Sequence, residues 1–407
     1  MTNPSSKTTL SVSLVDRFNM LWFIMALGFG GTSVAGYAFL NNTLPRNPPF
    51  KGMLYNANIN EYTAQMGTLY SWLTAYLKVH MLFFGLLHIV ALMGCTLLYI
   101  GWRRKHPVQY LELCNDTKRN SVLIAPVLAY AMAFNVCLVL GYVFVDWMRI
   151  NLDLLIPYAS IVYGLLWIWT IATAIRLQVI ALNKGFDVNT MHFGWLLIPF
   201  ALAMTSVTGA GIAYLAQGSL ADTVFFLSLT AFTMALFLLC VKLFSLFKSH
   251  YASGLPSKVE FLPSFFVVVP IITLLTISIL RYGYYFQHKF HTPLPDALFA
   301  FLASSGFALM SWYMLLGLFL MHDYFKTYIF NADYFDESQW GLICPMVAYS
   351  VLATFVYKHA LAYPVILILV VVFMALDVII LGTMIFKQYL KIKSGTDAQV
   401  TTLLTGK

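Results

Sequence analysis

The chain has 407 residues, of which 60% are apolar and only 10% charged, with a mean hydropathy of +0.78 and a formal net charge of +8. These values exclude an ordinary soluble domain. In a soluble chain the positive balance would suggest nucleic acid; in so apolar a chain it fits loops resting on anionic lipid, so membrane lipid and not nucleic acid is the expected partner. No Rossmann glycine fingerprint, Walker loop, zinc-ligand spacing or nucleophile–base arrangement is present, so neither enzyme chemistry nor a metal site is expected. The five cysteines (Cys95, Cys114, Cys137, Cys240, Cys344) contain no CxxC pair and read as small packing residues.

Residues 1–19 are polar and lack a cleavable apolar leader, and are expected to form a cytoplasmic tail. Ten apolar segments follow, at 20–41, 68–101, 121–146, 153–182, 191–216, 220–248, 260–282, 295–321, 339–358 and 361–390. A bilayer crossing needs about 20 residues, so the pattern predicts an all-α integral membrane protein with one ten-helix domain over 20–391. Residues 42–68 make the longest connection on the outer side. Its LPRNPPF cluster cannot be regular helix, because Pro48 and Pro49 break it, and it reads as a surface loop or as a cap over an outer vestibule. Residues 392–407 are expected to be a disordered cytoplasmic tail. With both termini inside, 17 Lys and Arg residues fall on the inner side or its helix ends and 6 on the outer side, which sets the orientation.

Four odd-numbered segments carry a proline: Pro126, Pro199, Pro270 and Pro345, at intervals of 73, 71 and 75 residues. A period near 70 is about two crossings with their loops, so the repeated unit reads as a helical hairpin. Proline has no N–H and clashes with the preceding turn, and the carbonyl it frees needs protein or water as a partner. Asn135, Thr208 and Thr354 each stand nine residues beyond such a proline. Thr205, Ser206, Thr273, Thr276 and Ser350 occupy neighbouring turns, while the first segment has Gly28, Gly30, Gly31 and Thr32 in place of a proline. Small and hydroxyl residues also let membrane helices pack closely. Their recurrence in the odd segments predicts five bent helices around one axis. The expected lining is Gly30, Gly31, Thr32, Pro126, Asn135, Pro199, Thr205, Thr208, Pro270, Thr273, Pro345, Tyr349 and Thr354. Aromatic residues beside the bends, Phe29, Phe200 and Phe265, are candidate constrictions.

The interiors of the odd segments are read as free of Asp, Glu, Lys and Arg. The ionisable residues placed at depth lie on even segments: Lys78, His80 and His88 on the second, Arg176 on the fourth, Asp377 on the tenth. Charges there need partners. If the hairpins close into a ring, the tenth segment meets the first hairpin, and Asp377 is expected to form a buried ion pair with Lys78, or with His80 or His88, the functional alternative being a proton relay or haem site. A conduit without carboxylate rings argues for an anion or a neutral solute.

The stretches GFGGTSVAG, FGWLLIPFALAMT and QWGLICPMVAY, with ten spans, inside termini and proline in the odd helices, resemble the tellurite-resistance/dicarboxylate transporter family, which includes the slow anion channels of plant guard cells. The resemblance covers about residues 20–390. It implies five helical hairpins round a quasi-fivefold pore, kinked inner helices, an outer layer of even helices, and homotrimers with one pore per protomer in the plasma membrane, or the inner membrane of a bacterium. It also implies a phenylalanine on the ninth span that occludes the pore. That span offers Cys344 just before its proline, Tyr349, and only further on Phe355, which joins Phe29, Phe200 and Phe265 as a gate candidate without fixing the position of the gate. The resulting expectation is a channel or transporter for small anions, with no cofactor. The alternative is a redox subunit in which His80, His88 and His322 supply haem ligands. Positions 80 and 88 are about 80° apart around an ideal helix, so each would need a partner on another span.

Overall fold

The computed structural model describes residues 13–45, 52–185, 191–329, 331 and 334–394. The expectations for the polar N-terminal tail, the Pro48–Pro49 cluster and the C-terminal tail fall largely outside these residues. Ten helices are long and apolar enough to cross a membrane: α1 Trp22–Thr43, α2 Thr68–Lys105, α3 Asn120–Phe144, α4 Leu152–Lys184, α5 Phe193–Leu215, α6 Gly218–Ser253, α7 Val259–Phe290, α8 Asp296–Leu320, α9 Glu337–His359 and α10 Pro364–Lys393. They match the ten apolar segments closely, except that α7 continues to Phe290 and does not stop near 282. No strand occurs among the described residues.

The odd and even helices occupy different layers. In the odd helices 50–94% of the most apolar stretch is buried within the chain, against 22–33% in the even ones. Each odd helix packs on the next, from α1 to α3, α5, α7 and α9, and α9 returns to α1. The even helices lie outside this circuit: α2 against α1, α4 and α6 against α5, α8 against α7 and α9, and α10 against α9. Helices buried on all sides need no polar face, which is why small and apolar residues run right round the odd ones.

The repeated prolines do something other than kink a helix in its middle. In α3, α5, α7 and α9 a 3-10 stretch comes first, at Asn120–Ile124, Phe193–Leu196, Val259–Val267 and Glu337–Leu342. The α-helical part then begins at Ala125, Leu197, Val268 and Ile343, so each of the four prolines falls within its first turn. A missing N–H is harmless there, since the first-turn N–H groups have no intrahelical acceptor. The proline thus marks where a tighter helix hands over to an α-helix. Helix α1 runs unbroken through its glycines. They serve close approach: a methyl on Gly30 would meet Met132 of α3 and His88 of α2, and one on Gly31 would meet Val347 of α9.

Gly209 on α5 is the tightest of these approaches to an even helix. A Cβ there would overlap the phenol of Tyr163 on α4 and approach Ser228 Cβ of α6 to 2.8 Å. Tyr163 is fully buried and rigid, so it has nowhere to swing. We expect Gly209→Ala to destabilise the fold by about 1–3 kcal/mol, seen as a lower midpoint of thermal unfolding in detergent. An unchanged midpoint would show that the ring can yield.

The entry to α5 is held by His192. Its Nδ1 accepts from Gly194 N at 3.2 Å and its Nε2 donates to the Lys118 carbonyl at 2.8 Å, while the ring stacks on Phe261 at 3.9 Å. One side chain thereby joins the starts of α3, α5 and α7. Burial in this stack pushes its pKa from 6.5 down to about 4, against the opposing pull of the Lys118 carbonyl. Because the folded value lies below the unfolded one, this stabilising contribution is complete above pH 6.5 and is lost as pH falls from 6.5 towards 4. The loss should reach about 3 kcal/mol, and His192→Asn should remove that acid-sensitive part of a pH–stability profile.

Candidate functional site: a cavity walled by the odd helices

All five odd helices contribute to one cavity of about 810 Å³, with α4 supplying part of one wall. Its floor lies where the 3-10 stretches end, at Leu27 and Gly28 of α1, Phe200 of α5, Pro270 of α7 and Cys344 of α9. From there it runs to the C-terminal ends of the odd helices, where Asn42, Tyr214, Gln287, Lys358 and His359 line it together with Asp296 at the start of α8. Gly52 and Met53 also line it. Beyond them Leu54 is fully buried, its N–H donating to Asn41 Oδ1, ahead of a short helix, Asn56–Gln65, packed on α2. Gly52 and Met53 thus reach the cavity wall, while the Pro48–Pro49 cluster, to which the cap reading applied, lies outside the described residues.

The residues expected to line a conduit fall in different places. Gly31, Asn135, Thr208, Pro270 and Thr273 line the cavity, as do two candidate gates, Phe200 and Phe355. The others are turned elsewhere. Gly30 abuts His88 and Met132, and Thr32 faces Asp377 with its hydroxyl 2.8 Å from Oδ2. Thr205 meets Thr170 of α4 at 3.1 Å, and Thr354 accepts from Asn42 of α1 at 2.9 Å. Tyr349 stacks on Phe373 of α10 at 3.9 Å behind α9 and meets Ser311 of α8 at 3.0 Å. Pro126, Pro199 and Pro345 are buried at the helical transitions and do not reach the cavity. Phe29 packs edge-on against Trp340, and Phe265 stacks on Tyr313 at 4.9 Å, so both are packing residues.

Hydroxyls and amides mostly tie the odd helices to one another. Asn135 donates to Thr208 at 3.0 Å between α3 and α5, and Ser206 meets Ser278 and Tyr282 at 3.1 and 3.0 Å between α5 and α7. Thr273 donates towards the Ala348 carbonyl at 3.3 Å between α7 and α9. Polar groups buried away from water need such partners, and these bonds hold the wall together.

The reading of the odd helices as free of charge is corrected by Arg281. It belongs to α7, about two and a half turns before the helix ends, and it lines the cavity. Its Nη1 donates to the Val207 carbonyl of α5 at 2.6 Å, the one hydrogen bond it makes among the described residues. Gly211, one turn on, leaves the space the guanidinium occupies: a Cβ there would lie 3.0 Å from Nη1. Among the described residues no carboxylate stands within ion-pair distance of Arg281. Its signal in the sequence was slight, a lone arginine in the polar-looking run RYGYYFQHK that ends the seventh apolar segment.

The Lys78–Asp377 pair is likewise not formed. Lys78 donates to the side-chain oxygens of Asn56 and Asn60, which the short helix presents one turn apart. Asp377 is instead buried against α1, with Thr32 as its partner. Arg176 is exposed on the outer face of α4. His80 Nε2 lies 3.0 Å from the Thr32 carbonyl and His88 Nδ1 2.7 Å from that of Ala26. A carbonyl only accepts, so these two nitrogens carry hydrogen, and the opposite nitrogens, His80 Nδ1 and His88 Nε2, are the ones left as acceptors. His322 is exposed just beyond α8, and no group of three His, Cys, Asp or Glu suited to a metal occurs among the described residues.

Ten apolar helices in two layers, the inner ones enclosing a cavity, define a multi-pass helical membrane protein. The family pattern described as SLAC1, voltage-dependent anion channel, matches residues 17–388, and the chain belongs to that family of anion channels and transporters. No curated protein matches the chain.

Proposed function

We propose that the chain passes small anions through this cavity, with Arg281 as the cationic contact and Phe200 as the closing residue at the floor. The observation that carries the proposal is the guanidinium of Arg281, set in a cavity walled by five helices with no carboxylate within ion-pair distance among the described residues. A charge held at such depth calls for a counter-ion, and an anion entering the cavity exchanges part of its hydration for guanidinium N–H groups and for the amide and hydroxyl of Asn135 and Thr208. Cations meet the same charge as a barrier. The rim carries Lys358 and His359 with Asp296; deeper in, Arg281 stands as the charge on the wall.

In this reading the ten helices are five hairpins around a quasi-fivefold axis, an arrangement supported by the circuit of contacts among the odd helices and by their greater burial. The ends of the odd helices face outward and both termini are cytoplasmic, as the Lys and Arg distribution indicates. The family resemblance supports a homotrimer in the plasma membrane, or in the inner membrane of a bacterium, each protomer with its own path. The test is purified protein in proteoliposomes under an imposed potential, with chloride, nitrate and small carboxylates as probes. Flux of anions and not of potassium is expected; the absence of flux for every anion would refute the proposal.

A further inference from the structure

Asp377 lies on α10 behind α1, 2% exposed, and takes no part in lining the cavity. Its Oδ2 is 2.8 Å from Thr32 Oγ1, and the same Oγ1 is 3.0 Å from the Gly28 carbonyl one turn back. A threonine hydroxyl has a single hydrogen to donate. An ionised carboxylate and a carbonyl are both acceptors and would have to share that one hydrogen in a three-centre bond, whereas a protonated Asp377 supplies a second hydrogen and gives each contact its own. The surroundings agree. Asp377 Oδ1 is buried with no hydrogen-bond partner, and among the described residues no cationic side chain stands within ion-pair distance of the carboxyl. An ionised carboxylate in that position would be left almost uncompensated.

We propose that Asp377 is a proton-controlled latch on the cavity floor: its carboxylic acid donates to Thr32, Thr32 donates to Gly28, and loss of the proton releases the Gly28 end of the relay. This inference rests on the transport reading above for its consequence, though not for its chemistry. When the proton leaves to water, the carboxylate becomes the stronger acceptor and draws the one Thr32 hydrogen to itself. The Gly28 carbonyl then loses its second partner. Gly28 is a floor residue, packed so closely on α9 that a Cβ would lie 3.1 Å from Ile343. The charged carboxylate also gains by admitting water. In this proposal the protonated relay holds the floor shut around Gly28, and its release opens it.

The other groups around this position leave Asp377 as the one that titrates into the relay. From α9 they are Cys344 and Tyr349; the latter stacks on Phe373 and hydrogen-bonds Ser311. From α2, His80 donates to the Thr32 carbonyl, and from α1 comes the non-ionising Thr32 itself. At the far end of the α9–α10 contact Glu337 pairs with Lys391 at 2.8 Å, and Lys387 of α10 donates to the Tyr328 and Tyr334 carbonyls.

Three measurements on the full chain test the latch. Infrared difference spectra between acid and alkaline buffer should show a protonated carboxylic acid band that is absent from Asp377→Asn, whose amide keeps donating to Thr32. Deuterium exchange at one alkaline pH should be faster in the α1 peptide around Gly28–Thr32 in the wild type than in Asp377→Asn. Anion flux in proteoliposomes should rise about tenfold from acid to alkaline pH in the wild type, the shift expected from about 1.4 kcal/mol, and should stay at the acid level in Asp377→Asn. Should that variant fold poorly, Thr32→Val, which cuts the relay, should hold flux at the alkaline level. Absence of the acid band, or equal exchange in the two proteins, overturns the latch, as does an unchanged pH profile in Asp377→Asn. If the first two results hold and no protein passes anions, the transport reading fails while the latch stands.

Discussion

Replacing Arg281 by alanine is expected to lower anion flux about a hundredfold, with Arg281→Gln equally impaired and Arg281→Lys within about tenfold of the wild type. Two opposite charges 4 Å apart attract by about 4 kcal/mol at an effective dielectric of 20. Part of this is offset because an anion in a wet cavity keeps some of its hydration. About 2–3 kcal/mol of lost attraction remains, roughly two powers of ten in occupancy. The measurement belongs at anion concentrations well below saturation, where flux follows occupancy; at high concentration a weaker site also releases its ion faster, and the effect shrinks. Lysine restores the charge but not the planar fork, and it would have to hold the Val207 carbonyl with a single ammonium. Arg281 also ties α5 to α7, so a melting curve must accompany the flux. An alanine variant that melts early and conducts normally would make Arg281 a structural tie, and the anion would have to be recognised elsewhere.

That this residue escaped a reading of the sequence has a physical cause. Hydropathy locates an apolar stretch but not the point where its helix ends. α7 passes through Arg281, Gln287 and Lys289 to Phe290, a stretch polar enough to be taken for the outer loop. The spans themselves were legible because length and composition suffice for them. The division into inner and outer helices was legible too, in the prolines, glycines and hydroxyls of the odd segments. Which of those residues faces the cavity was not. An amphipathic helix reveals its faces by periodicity, and all the odd helices but α3 are buried over 72–94% of their most apolar stretch. Gly31 lines the cavity and Thr32, the next residue and about 100° further round, faces Asp377. The prolines were seen with the right period, but not their place in the first turn of the α-helical part. Spacing cannot tell an α-helix bent by proline from a 3-10 stretch that hands over to an α-helix at a proline. The charges at depth were misassigned for a related reason: Lys78 counts as buried only if the outer connection is shapeless, and that connection folds into a helix offering Asn56 and Asn60.

Phe200→Ala is expected to raise anion flux about tenfold or more under conditions where the wild type is nearly closed. Among Phe29, Phe200, Phe265 and Phe355, the first and third are held in aromatic contacts away from the cavity. Phe355 lines it towards the rim, only partly buried, and its alanine variant should change flux by less than about twofold, since a wide mouth is not where dewetting blocks an ion. Phe200 is 4% exposed, stands at the floor, and follows Pro199 at the junction of two helical forms. Truncating a buried phenylalanine costs about 3–5 kcal/mol in a sealed core. Here one side of the ring already faces a cavity, so water entering from above offsets part of that loss and opens the path downward. Phe200→Leu, which keeps most of the volume, should conduct between the two. The order alanine, leucine, wild type in flux, at similar melting temperatures, would identify the ring as the closing element. Equal flux in all three would move the closure below Phe200, into the 3-10 stretches themselves, where no single side chain could open it.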